Sequence, residues 1–289
     1  NIEQSTLSRA ILRLERTLGA ELFIRSRAGV SPTDAGMQFL RGARTMLASA
    51  DRMMEASRAA GLGRTGVLTI GFNSSVSAGH LRATLIEAQR ANPDLAIEGM
   101  EADRNALFAG LDSDAVDIAI LLGEVDRCEY LHATFWSERV FTALAADHPL
   151  ASRDIVHWTD LRDQRFILPA ADPGPDIRDM LLGRLWKSGA DTSIALHAVS
   201  REAVLSMIGE TDFLSIVCEG STGTQFPNLA YRPIYGEQGP ALITYSGYWR
   251  EKNGNPALKR FLDLIRRRYA LSFGPKGEEN GTIQRQEKR

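Results

Sequence analysis

Hydrogen-bonding side chains are concentrated in the first thirteen residues: Gln4, Ser5, Thr6, Ser8, Arg9 and Arg13. Between them lie apolar residues at steps of four, three and four, the period of an α-helix: Leu7, Ile11, Leu14 and Leu18. Gly19 is the expected left-handed end of this helix. Hydroxyl groups and helix N-termini bind phosphates, whereas glutamine and arginine read base edges in the major groove. The pattern predicts a DNA-recognition helix, with an arginine-rich solvent-facing helix as the alternative.

A basic hairpin and a second helix start follow this segment. Residues 25–31 form the expected hairpin, or wing, and Gly29 supplies its turn. Arg25 and Arg27 are placed to reach the DNA backbone or minor groove. Thr33 is the expected N-cap of the next helix and completes the set of candidate DNA-binding residues.

The same segment resembles the second half of the winged helix-turn-helix of LysR-type transcriptional regulators. The matching positions keep the family's spacing without a gap: Gln4-Ser5, Ser8-Arg9, Leu14-Glu15, Leu18-Gly19, Leu22-Phe23, Arg25, Thr33 and Gly36. Because the chain begins inside this motif and without methionine, we expect the start of the helix-turn-helix to be missing and DNA binding by the fragment to be weak. Glu3 stands where the family usually has a small hydroxyl residue, which weakens the helix cap and places an acid near phosphate.

A long amphipathic helix is predicted over residues 34–60. Its apolar stripe has the spacing of a coiled-coil seam: Phe39, Ala43, Met46, Leu47, Ala50, Met53 and Met54. Such a stripe needs a partner, and the resemblance implies the linker helix of a second subunit in a homodimer or homotetramer. A core helix of the following domain is the alternative.

Composition divides the chain into a basic end and an acidic body. Residues 1–64 contain ten arginines and six acidic residues, a net charge of +4, whereas the remainder has 24 basic and 30 acidic residues, a net charge of −6. This asymmetry is typical of a protein that meets a polyanion with one end. No apolar run is long enough to cross a membrane, and no signal peptide is visible. Cys128 and Cys218 are interpreted as free thiols in a reducing cytoplasm, with a redox-sensing pair as the alternative.

Strand and helix patterns alternate after a glycine-rich hinge at residues 61–66. They begin in βαβαβ order, and they include a strand at 194–199 and a last helix at 256–269. By resemblance, residues 67–272 form an α/β effector-binding region of two periplasmic-binding-protein-like lobes, preceded by a partial winged helix-turn-helix at 1–33 and the long linker helix. Lobe I is expected at about 67–143 and 242–272, lobe II at about 144–241, and a disordered tail at 273–289. The family-like segments are Asn92-Pro93-Asp94, Asp117-Ile118-Ala119-Ile120 and His148-Pro149-Leu150-Ala151. Asp114 stands where the family prefers glycine.

Ligands of such sheets bind beyond the C-terminal strand ends, near helix N-termini. The candidate effector-binding residues occupy these places: Ser74, Ser75, Leu122, Gly123, Pro169, Ala170, Val199, Ser200, Arg201 and Cys218. Their hydroxyl and N–H groups suit a small organic acid, and an aromatic effector is also expected. Serines before helices are equally often N-caps, and Arg201 is equally well explained as a solvated first-turn residue.

Catalytic and metal motifs are absent from the sequence. The five histidines lack ligand spacing, and no nucleophile elbow, phosphate-binding loop or carboxylate pair is visible. We therefore predict a cytoplasmic, ligand-responsive transcriptional regulator that binds operator DNA, without metal, cofactor, membrane association or enzymatic activity. The alternatives are a bilobed solute receptor and an enzyme built on the same scaffold.

Overall fold

The computed structural model describes residues 4–26, 29–61, 66–125, 127, 129–185 and 193–273. Predictions for Arg27, Cys128, the hinge residues 62–65 and the tail 274–289 lie outside these ranges. The side chains of Gln4 and Ser5 are also outside the description. The chain forms two compact units, Asn1–Arg58 and Ala59–Arg289.

The first unit contains a helix, a hairpin and a long helix: α1 (Gln4–Leu18), β1 (Phe23–Ser26), β2 (Gly29–Pro32) and α2 (Asp34–Gly61). The predicted order is therefore confirmed. Gly19 has φ +67° and Gly29 has φ +126°, so both glycines adopt backbone conformations that other residues rarely reach. The strands pair antiparallel, with Ser26 opposite Gly29.

Backbone hydrogen bonds to side chains explain the spacing in this unit. The Glu15 carboxylate accepts the N–H groups of Leu22 (2.9 Å) and Phe23 (3.2 Å), which fixes the turn after α1. The Thr33 hydroxyl donates to the Glu21 carbonyl (2.7 Å) and accepts from the Gly36 N–H (2.9 Å). Thr33 is thus the predicted N-cap, and its hydroxyl is already engaged within the chain. The contact of Thr33 with DNA stays a prediction.

The second unit begins with alternating strands and helices: β3 (Val67–Phe72), α3 (Gly79–Ala91), β4 (Ala96–Glu101), α4 (Arg104–Asp112) and β5 (Ile118–Leu122). Strand β3 pairs in parallel with both β4 and β5, which confirms the predicted βαβαβ order. Asp114 has φ +56°, the left-handed conformation that glycine adopts without strain. The Asp117 carboxylate accepts the Thr69 N–H at 2.8 Å and so joins β5 to β3.

The remaining elements follow in this order: β6 (Leu131–Ala145), β7 (Val156–His157), β8 (Arg165–Pro169), α5 (Gly174–Leu185), β9 (Ser193–His197), α6 (Arg201–Ile208), β10 (Ser215–Cys218), β11 (Leu229–Gly236), β12 (Gly239–Pro240), β13 (Leu242–Trp249) and α7 (Pro256–Tyr269). Short 3₁₀ helices lie at Pro149–Ser152, Trp158–Leu161 and Glu219–Ser221. The bounds of α7 match the prediction. The strand expected to reach Val199 ends at His197.

Strand β6 runs through both lobes. Its residues 131–139 pair with β13, which pairs in turn with β5. Its residues 140–145 pair with β10 and β11. Lobe I therefore contains β3–β5, β13, α3, α4, α7 and the first part of β6, and lobe II contains β7–β11, α5, α6 and the rest of β6. Neither β6 nor β11 was predicted as a strand from the sequence.

Each lobe has its own hydrophobic core. In lobe I, α7 packs Leu258, Phe261 and Ile265 against the sheet. In lobe II, α5 contributes Leu181 and Leu185 to a separate cluster. Within the described ranges, no helix is long and apolar enough to cross a membrane.

Candidate functional site: a cavity between two lobes and an exposed recognition helix

A cavity opens between the two lobes. It encloses about 420 Å³ of space, part of which is open to solvent. Lobe I contributes Ser74, Ser75, Leu122 and Tyr245. Lobe II contributes the remaining lining residues: Pro169, Pro173, Ile177, Arg201, Val204, Leu205, Ser215, Ile216, Val217, Cys218 and Ser221. The lining combines an apolar wall with hydroxyl groups and one cationic side chain.

The lobe I wall presents an unused hydroxyl to this cavity. The Asn73 carboxamide oxygen accepts the Leu122 N–H at 3.3 Å, which joins the ends of β3 and β5. The next residue, Ser74, is 3% exposed. Its hydroxyl faces Tyr245 yet makes no hydrogen bond of normal geometry within the described part of the chain. A buried polar group without a partner is uncommon and is satisfied by a bound ligand or water.

Tyr245 and Cys218 face each other across the buried end of the cavity. Burial is the main cause that raises the pKa of Tyr245 well above its usual value, with smaller contributions from Cys218 and the Glu138 carboxylate. Burial likewise raises the pKa of the Cys218 thiol to about 12. Both groups are therefore neutral at physiological pH.

A buried carboxylate lies behind this wall. Glu138 is 1% exposed, and its oxygens accept the N–H groups of His80 (2.8 Å) and Gly220 (2.9 Å). A Cβ on Gly79 would come within 2.5 Å of the carboxylate, so only glycine permits this approach. Burial raises the pKa of Glu138, against the opposing effect of the two N–H donors. The carboxylate joins the start of α3, next to Ser75, to the turn that carries Ser221.

The structure brings six of the ten predicted effector-binding residues to the cavity: Ser74, Ser75, Leu122, Pro169, Arg201 and Cys218. Four lie outside its lining. The Ser200 hydroxyl is the N-cap of α6 and accepts the Ala203 N–H at 3.1 Å. Val199 is exposed, and the backbone N–H groups of Gly123 and Ala170 are bonded to Thr244 and His197. For Ser200, the capping alternative is the better account.

Nine lining residues were not predicted: Pro173, Ile177, Val204, Leu205, Ser215, Ile216, Val217, Ser221 and Tyr245. Two of them carried a usable signal, since Val204 and Leu205 follow Arg201 at the i+3 and i+4 spacing of one helix face. Strands β10 and β13 bring Ser215, Ile216, Val217 and Tyr245 to the cavity, whereas Pro173, Ile177 and Ser221 reach it from a loop, from α5 and from a 3₁₀ helix.

The predicted DNA-binding side chains lie on the outside of the first unit. Thr6, Arg9, Arg13 and Arg25 are exposed, and Ser8 is half-buried. Helix α1 begins at Gln4, so the backbone of Gln4 and Ser5 forms part of its first turn. A recognition helix requires this outward presentation of hydroxyls and arginines.

Comparison with known proteins decides the family. Residues 1–37 match the model of the bacterial regulatory helix-turn-helix protein, lysR family, and residues 62–270 match the LysR substrate binding domain. The chain belongs to the LysR family of transcriptional regulators. The predicted resemblance is thereby confirmed, and the solute receptor and enzyme alternatives are wrong, because the members of this family are DNA-binding regulators.

Individual LysR regulators resemble the chain over most of its length. The hydrogen peroxide-inducible genes activator of Dickeya chrysanthemi is 30% identical over 80% of this chain and 72% of the relative. OxyR of Escherichia coli (strain K12) is 30% identical over 81% and 73%. The solved structure of CbnR has a TM-score of 0.78 at 22% identity and covers 93% of this chain and 90% of CbnR, a likeness in fold.

Proposed function

We propose that this LysR regulator binds a small organic acid or aromatic molecule between its lobes and transmits the binding to its DNA contacts. The observation that carries the proposal is the Ser74 hydroxyl, which is buried in the cavity wall and makes no hydrogen bond of normal geometry to the described residues. A cavity of a few hundred cubic ångströms with an apolar wall and few polar groups is typical of small-molecule sites.

The lining favours a ligand with one polar end and an apolar body. The neutral Ser74 hydroxyl is a donor for a carboxylate or carbonyl oxygen, and Arg201 supplies the positive charge. Ile177, Val204 and neighbouring apolar residues suit a ring or short hydrocarbon. BenM, whose effector-binding domain has been solved with benzoate, is 23% identical to this chain over the aligned region. Benzoate is therefore the first probe to test.

Oxidation of Cys218 is a poorer account of the signal than ligand binding. Two relatives are activators of hydrogen peroxide-inducible genes, and a peroxide-reactive cysteine must be an accessible thiolate. Cys218 is buried, and its raised pKa of about 12 keeps it a thiol. We accordingly expect a Cys128→Ser, Cys218→Ser variant to keep a cooperative fold. In a chain that carries a complete helix-turn-helix, peroxide should leave the operator affinity of this variant and of the wild type unchanged. Operator binding that changes with peroxide in the wild type but not in the variant would favour oxidation instead.

DNA binding is assigned to α1 and the wing, and subunit pairing to α2. Met46, at 74% exposed, and its neighbours Leu47, Met53 and Met54 form an apolar face that the described residues of the first unit leave exposed. We propose that a second copy of α2 covers this face. Because the protein is a regulator of bacterial promoters, we propose that it acts in the cytoplasm. Light scattering should report a dimer or larger assembly, and Met46→Glu with Leu47→Glu should shift it toward monomer. An unchanged mass would exclude α2 as the interface.

The effector proposal is tested by thermal shift against benzoate and other small organic acids, aromatics and amino acids. A ligand at about 100 times its dissociation constant contributes about 2.7 kcal/mol of stability. Ser74→Ala should weaken the binding of a hit by about 1–2 kcal/mol, because it removes a buried hydrogen bond. Ser206→Ala is the matched control, since its exposed hydroxyl bonds only to the Ala203 carbonyl of its own helix. Equal affinity of the Ser74→Ala variant and the wild type would exclude this cavity wall.

A further inference from the structure

Two arginines occupy equivalent positions in the two lobes. Arg104 is the first residue of α4, which follows β4 in lobe I, and Arg201 is the first residue of α6, which follows β9 in lobe II. Each follows an N-cap, Asp103 or Ser200, whose side chain accepts a backbone N–H three residues on. A cation at a helix N-terminus is disfavoured by the helix dipole. Helix stability therefore does not explain either arginine, and their contacts outside the helix must.

Arg104 reaches from lobe I to lobe II. Its guanidinium pairs with the Asp176 carboxylate of α5, and its backbone N–H donates to the Asp172 carboxylate at 2.7 Å. Burial is the main cause that raises the pKa of Asp176, and the Arg104 charge opposes it. The charges of Asp172 and Asp179 raise this pKa further, which shows that the three aspartates of lobe II lie close together. Without the Arg104 charge, lobe II would present mutually repelling carboxylates to lobe I.

Arg201 makes the opposite crossing, from lobe II to lobe I. Its guanidinium donates to the Asn73 carbonyl at 3.2 Å and to the Glu101 carboxylate at 3.3 Å. The side chain is 13% exposed and also lines the cavity. Because Asn73 immediately precedes Ser74, this contact fixes α6 against the segment that carries the unpartnered hydroxyl.

Some other ion pairs of the described residues do not cross between the lobes. Arg165 pairs with Asp212, and Arg153 pairs with Asp160, in each case within lobe II. Partly exposed pairs of this kind contribute little to folding. Two pairs that cross a cleft in opposite directions act instead on the equilibrium between its open and closed forms, for which a small free energy is sufficient.

We propose that Arg104 and Arg201 are positioning residues that form a reciprocal clamp and hold the two lobes closed around the cavity. The effector role of the clamp rests on the proposed function, since a ligand that touches both lobes acts on the same equilibrium. An effector then needs to shift only the remaining open molecules to the closed form. Salt screens partly exposed charges, so the closed fraction falls as ionic strength rises.

The test measures the distance between the lobes without any ligand. Spin labels on Glu98→Cys in β4 and Arg184→Cys in α5, in a Cys128→Ser background, report the distribution by pulsed electron paramagnetic resonance. Arg104→Met and Arg201→Met should each shift the equilibrium about two- to five-fold toward longer distances. Raising sodium chloride from about 0.05 to 1 M should have the same effect on the otherwise unaltered protein. Arg165→Met is the control and should leave the distribution unchanged.

Charge exchange separates a clamp from a general structural role. Arg104→Asp combined with Asp176→Arg should restore the short distance that either single change loses, because the attraction across the cleft is rebuilt with reversed sign. The clamp would be overturned if the distance between the lobes changed neither with the arginine substitutions nor with salt. It would also be overturned if the double exchange did not restore the short distance. Since no effector is present, these outcomes are independent of whether benzoate or any other panel member binds.

Discussion

The DNA-facing unit and the effector lobes place their functional groups in opposite ways. In the first unit, Thr6, Arg9, Arg13 and Arg25 lie on the outside. Leu22, at 4% exposed, is the one large apolar side chain of that unit's described residues that is buried. In the lobes, Ser74 and Tyr245 are buried inside a cavity, and extensive hydrophobic clusters surround it.

This difference determines what each region requires of its sequence. A surface that binds DNA needs only a helix with the right outward face, which one short segment supplies. A cavity needs walls from many segments, and the lining here runs from Ser74 to Tyr245. Changes in the lobes should therefore affect folding or ligand binding, whereas changes on α1 should affect DNA binding alone.

The largest expected effect is on the core of the lobes. Phe261→Ala should lower the free energy of unfolding of the effector region by about 3–5 kcal/mol, because it leaves a cavity between α7 and the sheet. Denaturant unfolding followed by circular dichroism measures this loss. Met46→Ala in the exposed face of α2 is the control, with an expected change of about 0.5 kcal/mol or less at concentrations where the chain is monomeric. Equal losses would contradict the assignment of a core to the lobes and not to α2.

The next effect concerns DNA and should leave the lobes untouched. In a chain that carries a complete helix-turn-helix, Arg9→Ala should weaken operator binding by about 1–3 kcal/mol if the guanidinium reads a base. Binding is measured by fluorescence anisotropy on the operator and on a scrambled duplex. An equal loss on both duplexes would identify a phosphate contact. A change in the melting temperature of the lobes would contradict the separation of the two regions.

The smallest effect is a pH dependence of the lobes. Burial raises the folded-state pKa of Glu138 above its ordinary 4.5, so its contribution to stability is full below that value and is lost as the pH rises through the raised one. Glu138→Gln removes the titration. The melting temperature of this variant minus that of the wild type should therefore increase from pH 4 to pH 7, with exposed Glu98→Gln as the control. A difference that stays flat or decreases would contradict the inferred direction.

Local patterns predicted those parts of the fold that depend on neighbouring residues. Helical spacing gave the bounds of α7, and strand–helix alternation gave the parallel pairing of β3 with β4 and β5. Strand β6 was missed because its first part mixes polar and apolar residues, among them Thr134, Ser137 and Glu138. Its polar residues are accommodated by contacts such as those of Glu138 with His80 and Gly220, which no local pattern shows.

The cavity was predicted only where a strand ends in a helix start. Ser74, Ser75 and Arg201 lie at such places and line it. Ser200 occupies an equally suitable place, but its hydroxyl caps α6. Tyr245 was missed because it reaches the cavity from the middle of β13, where sequence position carries no sign of proximity to Ser74. Tertiary packing, rather than residue type, distinguishes these cases.

The most direct test of the account locates the bound effector. Hydrogen–deuterium exchange of the chain should be compared with and without the panel member that binds most tightly in the thermal-shift screen. We predict slower exchange in the segments around residues 73–77, 169–177 and 215–221, which line or border the cavity, and no change in residues 4–26. Protection confined to other surfaces, or centred on the DNA-facing unit, would contradict the claim that the signal is received between the lobes.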